Sequence, residues 1–249
     1  MAEAEDLSIL SREAPPADLT LAYGEHPDQV ADFRRGQSGA QRPLVLVIHG
    51  GFWKPLYDRA HAGVMSAALA LAGWSVLTLE YRRVPGQPQA TLADIATAIE
   101  ALPARVAPHN GQLLLLGHSA GGHLALWAAA TAALSAQTPL RGVVALAPAA
   151  DLRLAHALKL GGGAVQNFLG TEPEAQPELD PMRLPAPRVA VTIVQGSDDD
   201  QVPPAVAQSY CEAFPNTRLM SVPGAGHFSL IDPLQAAWTS VVEALSQLS

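Results

Sequence analysis

The sequence predicts an α/β fold, in which a mostly parallel, twisted sheet carries helices on both faces. Two observations along its 249 residues lead to this prediction. Continuous apolar runs of strand length, which are typical of strands buried on both faces, alternate with apolar segments of helical length. The links between them are short, and repeated strand-then-helix units with short links build parallel sheets.

The predicted strands are runs of apolar and β-branched residues that stop at glycine or polar residues. The first two alternate weakly and suit an antiparallel edge hairpin, whereas the run LVLVI is apolar throughout, as a buried parallel strand should be. In chain order, the predicted strands cover residues 19–24, 30–36, 44–48, 74–81, 112–117, 141–149, 188–196 and 217–224.

The predicted helices follow the strands of the parallel part of the sheet. The first ends on Gly73, which suits the left-handed position after a helix. The second begins at Thr91, whose hydroxyl can act as an N-cap. In chain order, the predicted helices cover residues 61–73, 91–106, 121–134, 204–214 and 233–248.

Two segments depart from this alternation. Residues 1–17 are acidic, and we expect them to form a loose leader. About forty residues rich in Gly, Pro and Glu separate the strands containing Val143 and Val189, and a connection of that length is usually a functional insertion. We therefore predict a single domain, 1–249, with a small cap-like insertion at about 151–187.

Composition narrows the classes of protein. The formal net charge of -8 argues against a nucleic-acid partner, because binding phosphates needs a basic face. The longest apolar stretch, 124–134, is too short to cross a bilayer, so we expect no membrane partner. A single cysteine, Cys211, suits a reducing compartment, and the absence of a signal-peptide pattern favours a cytoplasmic protein. This composition is also compatible with an oligomer.

Ser119 lies in the pattern G-x-S-x-G, at the junction of a predicted strand and a predicted helix. A nucleophile elbow needs this context, because the serine is held at a strained backbone angle and its neighbours have room only for glycine. The alternative interpretation is a glycine-rich turn with an ordinary serine. The junction favours the nucleophile.

A serine hydroxyl needs a base, and a histidine base needs a carboxylate that fixes its tautomer. His227 follows the last predicted strand, at the same sheet edge as Ser119. The carboxylate comes from the run at 198–200, where spacing favours Asp199 over Asp200 and Asp198. The alternative there is a solvated acidic turn. We expect structural, packing or surface roles for six other histidines: His26, His61, His109, His118, His123 and His156.

Acyl transfer also needs N–H donors for the oxyanion. The glycines after the first buried strand allow backbone N–H groups to face a pocket, and we predict the N–H groups of Gly51, Phe52 and Ala120 as donors. The alternative is a plain turn from strand to loop. Metal and nucleotide sites are not expected, because the chain has no His-Glu-x-x-His and no phosphate-loop pattern.

Together these segments resemble the α/β-hydrolase superfamily from about Leu19 onward. The segment HGGFW, from His49 to Trp53, is similar to the HGGxW motif of kynurenine formamidases and related small esterases, and GHSAGGHLA and GHFSLID are similar to the serine and histidine segments of that group. The resemblance implies Ser119 as nucleophile, Asp199 as acid, His227 as base, Trp53 as a residue that shapes the pocket mouth, and no cofactor. Phe52 also lies near the predicted mouth, where an aromatic ring would suit a flat leaving group, and core packing is the alternative for it. Phe52 departs from the third glycine of the HGGG esterases.

The function predicted from these residues is that of a serine hydrolase, which cleaves a small ester or aryl formamide through an acyl-enzyme. Two alternatives remain at this point. One is a peptidase of the prolyl-oligopeptidase type, which shares the same three residues. The other is a non-catalytic binding protein that keeps the fold and the pocket without the chemistry.

Overall fold

An eight-stranded sheet runs through the computed structural model, which describes residues 5–131 and 139–249. In chain order its strands are β1 Leu19–Ala22, β2 Val30–Arg34, β3 Leu44–Ile48, β4 Val76–Leu79, β5 Leu113–His118, β6 Leu140–Leu146, β7 Ala190–Gly196 and β8 Arg218–Val222. Their spatial order is β1-β2-β4-β3-β5-β6-β7-β8. The pairs β1–β2 and β2–β4 are antiparallel, and all the others are parallel. The predicted parallel sheet with an antiparallel edge hairpin is confirmed.

The helices of the described residues are α1 Gly63–Leu71, α2 Pro88–Ala101, α3 Ala120–Ala130, α4 Leu152–Ala157, α5 Leu160–Leu169, α6 Pro204–Ala213 and α7 Trp238–Leu248. Helix α1 ends as predicted on Gly73, whose φ is +107°. The N–H groups of Gly73 and Trp74 close the helix on the carbonyls of Ala70 and Leu69. This is the Schellman pattern that glycine favours.

Several predicted helix boundaries differ from the structure: α1 begins at Gly63 rather than at residue 61, and α2 ends at Ala101 rather than at residue 106. Thr91 is not an N-cap, because α2 already begins at Pro88, whose fixed φ suits the first helical position. The Thr91 hydroxyl donates instead to the carbonyl of Arg82, 2.6 Å away. The last helix begins at Trp238 rather than at residue 233. The helix predicted at 121–134 is observed to Ala130, and residues 132–134 lie outside the described residues.

The core has two layers, one on each face of the sheet. Strand β3 illustrates the division, because its five residues are completely buried and alternate between the layers. One layer packs against α2, α3 and α6, and the other against α1 and α7. A continuous apolar strand is therefore explained by helices on both faces.

The segment between β6 and β7 folds over the first of these layers. It contains α4, α5 and three single 3-10 turns, and it buries Val165, Phe168, Leu169 and Leu179 in the core cluster. The three glycines of its sequence LGGG form the turn at the start of α5. Gly161, Gly162 and Gly163 have φ values of +58°, +71° and +84°, so the start of α5 is left-handed, which only glycine adopts without cost.

Residues 5–17, which we call the strap, lie along the surface of the domain and are held at several points. Glu5 accepts hydrogen bonds from the N–H groups of Phe228 and Ser229, at 2.6 and 3.0 Å. Ile9 is completely buried, and Arg12 forms an ion pair of 2.6 Å with Asp232. This part of the chain therefore differs from the loose leader expected at 1–17.

No helix among the described residues is long and apolar enough to cross a membrane.

Candidate active site

Ser119 stands at a sharp turn between β5 and α3. Its backbone angles, φ 56° and ψ -118°, lie in a region that side chains other than glycine rarely adopt. Its N–H donates to the Leu146 carbonyl on the neighbouring strand at 2.8 Å, which fixes the turn against the sheet. A Cβ on Gly117 or Gly121 would come within 2.1 or 2.0 Å of a backbone oxygen. The two glycines of G-x-S-x-G are therefore required by the close approach of the backbone.

Asp199 and His227 are in direct contact at the ends of β7 and β8. The Asp199 Oδ2 lies 2.7 Å from the His227 Nδ1, and both residues are buried, with 4% and 2% exposure. Three further groups donate to the same carboxylate at 2.8 to 3.1 Å: the side chain of Gln195 and the N–H groups of Gln201 and Val202. The carboxylate is thus fixed in orientation, and it faces the histidine.

His118 joins the serine turn to the histidine loop. Its Nε2 donates to the His227 carbonyl at 3.1 Å, and the centres of the two rings are 4.6 Å apart. Burial, together with the neighbouring histidines, holds the pKa of His118 well below its ordinary value, so that the ring is neutral. The structure thus brings Ser119, Asp199 and His227 to one sheet edge, although no hydrogen bond joins the Ser119 hydroxyl to the His227 ring in the described residues.

The turn after β3 has an unusual backbone. Gly51, Phe52 and Trp53 have successive φ values of +108°, +52° and +54°. Strain of this kind in consecutive residues is typical of functional sites, where it fixes the direction of backbone groups. Within 5–131 and 139–249, no group accepts a hydrogen bond from the N–H of Gly51 or Phe52. A Cβ on the preceding Gly50 would lie 3.0 Å from the Ser119 Cβ, so this turn and the serine are adjacent.

Beneath that turn lies a buried network that our sequence analysis missed. The His49 ring stacks on Tyr81 at 4.5 Å, and its two nitrogens lie 2.7 Å from the Gly50 carbonyl and 3.0 Å from Glu80. Arg83 bonds to the same Glu80 oxygen. Burial alone would raise the pKa of Glu80, but His49, Arg83 and a backbone N–H lower it to about 2. An ionised carboxylate therefore supports the strained turn.

A cavity of about 340 Å³ opens beside the same turn. Its lining includes Phe52 and Trp53, the two residues predicted at the pocket mouth, together with Lys54 and Phe168. Trp53 is largely buried, at 3% exposure, because it stacks on Phe168 at 4.7 Å and meets His123 edge-on at 5.1 Å. The half-buried Phe52 therefore presents more of its ring to the cavity than Trp53 does.

His123 has the structural role that we expected for it. Its Nε2 donates to the Leu179 carbonyl at 2.8 Å and so ties α3 to the segment between β6 and β7. Burial lowers its pKa to about 4. In the described ranges, no group of three or more His, Cys, Asp or Glu side chains is placed to hold a metal ion.

Fold and site define the class of this protein: it is an α/β-hydrolase, similar to carboxylesterases and arylformamidases, as its sequence predicted. The family model BD-FAE matches residues 33–214, which is more than half of the chain. The chain belongs to the BD-FAE family.

Individual relatives agree with this class. Esterase LipC of Mycobacterium tuberculosis is 26% identical in an alignment that covers 90% of this chain and 63% of LipC, so the chain spans less than two thirds of that relative. Kynurenine formamidase of Salmo salar is 24% identical in an alignment that covers 87% of this chain and 76% of that protein. The crystal structure of esterase B from Lactobacillus rhamnosis superposes with a TM-score of 0.75 at 20% identity, covering 97% of this chain and 88% of that chain.

Proposed function

We propose that this chain is a serine hydrolase that cleaves a small ester or an aryl formamide through an acyl-enzyme. The observation that carries the proposal is the buried contact of 2.7 Å between Asp199 and His227, at the sheet edge that also holds the strained Ser119 turn. A buried carboxylate on Nδ1 leaves Nε2 as the nitrogen that exchanges a proton with a substrate or a hydroxyl. In the proposed enzyme, Ser119 is the nucleophile, His227 the base and Asp199 the acid.

The proposed reaction has two halves. His227 takes the proton of the Ser119 hydroxyl as its oxygen attacks the substrate carbonyl, and the proton then passes to the leaving alcohol or amine. Water repeats the cycle, with His227 as base, and releases the acid. The negative oxygen formed in each half is stabilised by the N–H groups of Gly51, Phe52 and Ala120. In support, two of these belong to the strained turn, and the third opens helix α3 directly after Ser119.

The proposed substrate carries a small acyl group and a flat or aromatic leaving group. The cavity of about 340 Å³ lies within the usual range for small-molecule pockets. Phe52 and Phe168 provide aromatic surface there, and Lys54 approaches the Phe52 ring to 5.7 Å. The names of two relatives, an esterase and a kynurenine formamidase, favour ester and formamide bonds.

A fluorophosphonate probe tests the chemistry. We expect the wild-type protein to be labelled and Ser119→Ala to remain unlabelled, whereas Ser197→Ala, which changes an exposed serine, should label normally. An unlabelled wild-type protein that is folded would refute the enzyme and leave the non-catalytic binding protein.

Substrate class is tested separately, by comparing the turnover of N-formylkynurenine, p-nitrophenyl acetate and p-nitrophenyl butyrate. Similar kcat/KM values for the formamide and the acetate support both bond types. A formamide value roughly a thousandfold lower restricts the proposal to esters.

A further inference from the structure

A second cavity lies away from the serine, between the strap and the edge of the sheet. It has a volume of about 650 Å³. Its wall is formed on one side by residues 10–17 of the strap and on the other by Asp32 and Arg34 of β2 and by the turn at Arg59. A volume of this order suits a small molecule rather than a few waters.

The side chain of Arg34 is the unusual feature of this cavity. Arg34 is 93% buried, since its exposure is 7%, and its Nε and Nη1 have no hydrogen-bond partner among the described residues. Its one bond runs from Nη2 to the Pro15 carbonyl of the strap, at 3.0 Å. A guanidinium remains charged in proteins, and burying a charge without partners is unfavourable. Two of its nitrogens can therefore donate to an acceptor that the described residues do not supply.

The nearby carboxylates do not supply that acceptor. Asp32 is already paired with Arg59 at 2.8 Å, and it also accepts the Thr20 hydroxyl at 2.6 Å. Asp18 accepts the N–H of Arg35 at 2.7 Å. In the described ranges, no carboxylate oxygen lies within the 4.0 Å limit of an ion pair with Arg34. Burial lowers the pKa of Arg34, whereas the more distant charges of Asp32 and Asp18 raise it.

The strap closes over this guanidinium at a defined position. Gly63, at the start of α1, has no side chain, and a Cβ there would lie 2.8 Å from the Ala14 Cβ and 3.7 Å from the Arg34 Nη2. The close approach of the strap therefore depends on a glycine beside the charge. The rest of that wall is mixed: the side chains of Leu10, Ala14, Pro16 and Ala17 are apolar, and those of Ser11, Arg12 and Glu13 are polar or charged.

We propose that this cavity binds a small organic acid, with its carboxylate on the Arg34 guanidinium and its hydrocarbon part against the apolar side of the strap. Arginine is suited to this role, because its planar guanidinium matches the geometry of a carboxylate. The apolar side chains on the strap, Leu10, Ala14, Pro16 and Ala17, favour an organic acid over an inorganic anion. This site is separate from the proposed catalytic residues, and its occupation does not depend on the proposed reaction.

The proposal is tested by titrating the whole chain with sodium acetate, sodium butyrate and sodium phosphate at constant ionic strength, set with sodium chloride, in a calorimeter. We expect saturable binding of the carboxylates, tighter for butyrate than for acetate. Arg34→Met, which replaces the charge by an apolar chain, should weaken it at least tenfold. Arg35→Met is the matched control, because Arg35 is the next residue and is exposed. It should bind as the wild-type protein does.

A measurement on the wild-type protein covers the case in which Arg34→Met does not fold. The assigned Nε–H resonance of Arg34 in ¹⁵N-labelled protein should shift on addition of butyrate and saturate with the same midpoint as the calorimetric curve. No saturable binding, an unmoved resonance, or equal weakening in Arg35→Met would overturn the site. Phosphate binding more tightly than butyrate would overturn the organic acid as its ligand.

Discussion

The Asp199 carboxylate differs from those of Asp198 and Asp200 in its hydrogen bonds and in its burial. Its oxygens receive four hydrogen bonds, among them the one from His227. Asp198 and Asp200 are exposed, and in the described residues the carboxylate of each accepts a hydrogen bond only from the side chain of an adjacent residue. Of the three, Asp199 alone is positioned to orient the histidine, as the spacing in the sequence had favoured.

Replacing Asp199 by Asn should reduce kcat/KM by roughly 10³-fold, because the amide removes the negative charge that stabilises an imidazolium at His227. The measurement is steady-state hydrolysis of p-nitrophenyl acetate, with folding checked by circular dichroism. Asp198→Asn and Asp200→Asn are the matched controls, and both should retain wild-type rates. A folded Asp199→Asn protein with unchanged kcat/KM would remove Asp199 from the proposed mechanism.

Candidate site residues could be predicted from the sequence where the adjacent residues, such as glycine and proline, restrict the local backbone. Ser119 was proposed because glycines flank it at a strand end, and Asp199 because glycine and proline frame its turn. The contact of His49 with Glu80 could not be found in the same way. The two residues are 31 positions apart, and nothing in their spacing distinguishes this pair from any other His and Glu in the chain.

Among the elements, α5 has the most specific requirement for its sequence. Its left-handed start brings Gly161 against the ring of Phe52, where a Cβ would lie 2.7 Å from ring carbons. The Gly161 carbonyl also accepts a hydrogen bond from Lys54 at 2.8 Å. This glycine turn therefore connects the insertion to the turn that we propose as part of the oxyanion site.

The variants Gly161→Ala and Gly162→Ala should distinguish two effects: backbone strain, which both introduce, and a clash with Phe52 in the turn after β3, which only Gly161→Ala introduces. Both glycines have positive φ, so each alanine should cost about 1 kcal/mol of stability. A Cβ at Gly162 has open space around it, whereas one at Gly161 displaces Phe52. We expect urea unfolding to show a loss for both variants, and ester hydrolysis to show a raised KM for Gly161→Ala alone. Equal KM values for the two variants would contradict the connection between the insertion and the turn after β3.

The strap is the second element whose contacts reach the candidate active site. The Glu5 carboxylate accepts hydrogen bonds from the N–H groups of Phe228 and Ser229, the two residues that follow His227. Glu5→Ala should lower kcat/KM by roughly tenfold to a hundredfold through a displaced His227 loop. Glu5→Gln should restore most of the rate, since its amide oxygen can accept the same bonds. If both variants hydrolyse esters at the wild-type rate, the strap does not position the histidine.

Element types were more predictable than element ends. Apolar runs and glycines located every strand of the sheet, but the N-terminus of α2 was misplaced because Thr91 and Pro88 are both plausible first-turn residues. The strap was expected to be loose because the first residues of a domain usually are unless contacts tie them down. Its order comes from partners near residue 230, which no local pattern predicts.

At the scale of the whole molecule, buried neutral histidines should determine the response to acid. Burial lowers the pKa of His61 and His123 to about 4, and that of His118 well below its ordinary value. Each folded pKa lies below the unfolded value of 6.5, so the unfolded chain binds more protons between pH 6.5 and 4. Stability should therefore fall as the pH falls through this range.

One carboxyl group opposes this trend. Burial raises the pKa of Asp180 from 3.8 to about 6, so its ionisation destabilises the folded state as the pH rises through the same range. Since three histidines act against one aspartate, we expect urea midpoints to be lower at pH 5 than at pH 7. His123→Gln should reduce this difference, and the exposed control His26→Gln should leave it unchanged. A wild-type midpoint that rises on acidification would contradict the assignment.

The contacts of the strap also constrain when it can form during synthesis. Glu5 and Arg12 leave the ribosome early, yet their partners Phe228 and Asp232 are 223 and 220 positions further along the chain. At translation rates of roughly 5–20 residues per second, these first residues wait on the order of ten seconds or more before their partners emerge. Until Phe228 and Asp232 are made, Glu5 and Arg12 lack the partners that hold the strap in place, so the cavity around Arg34 is completed only after that point.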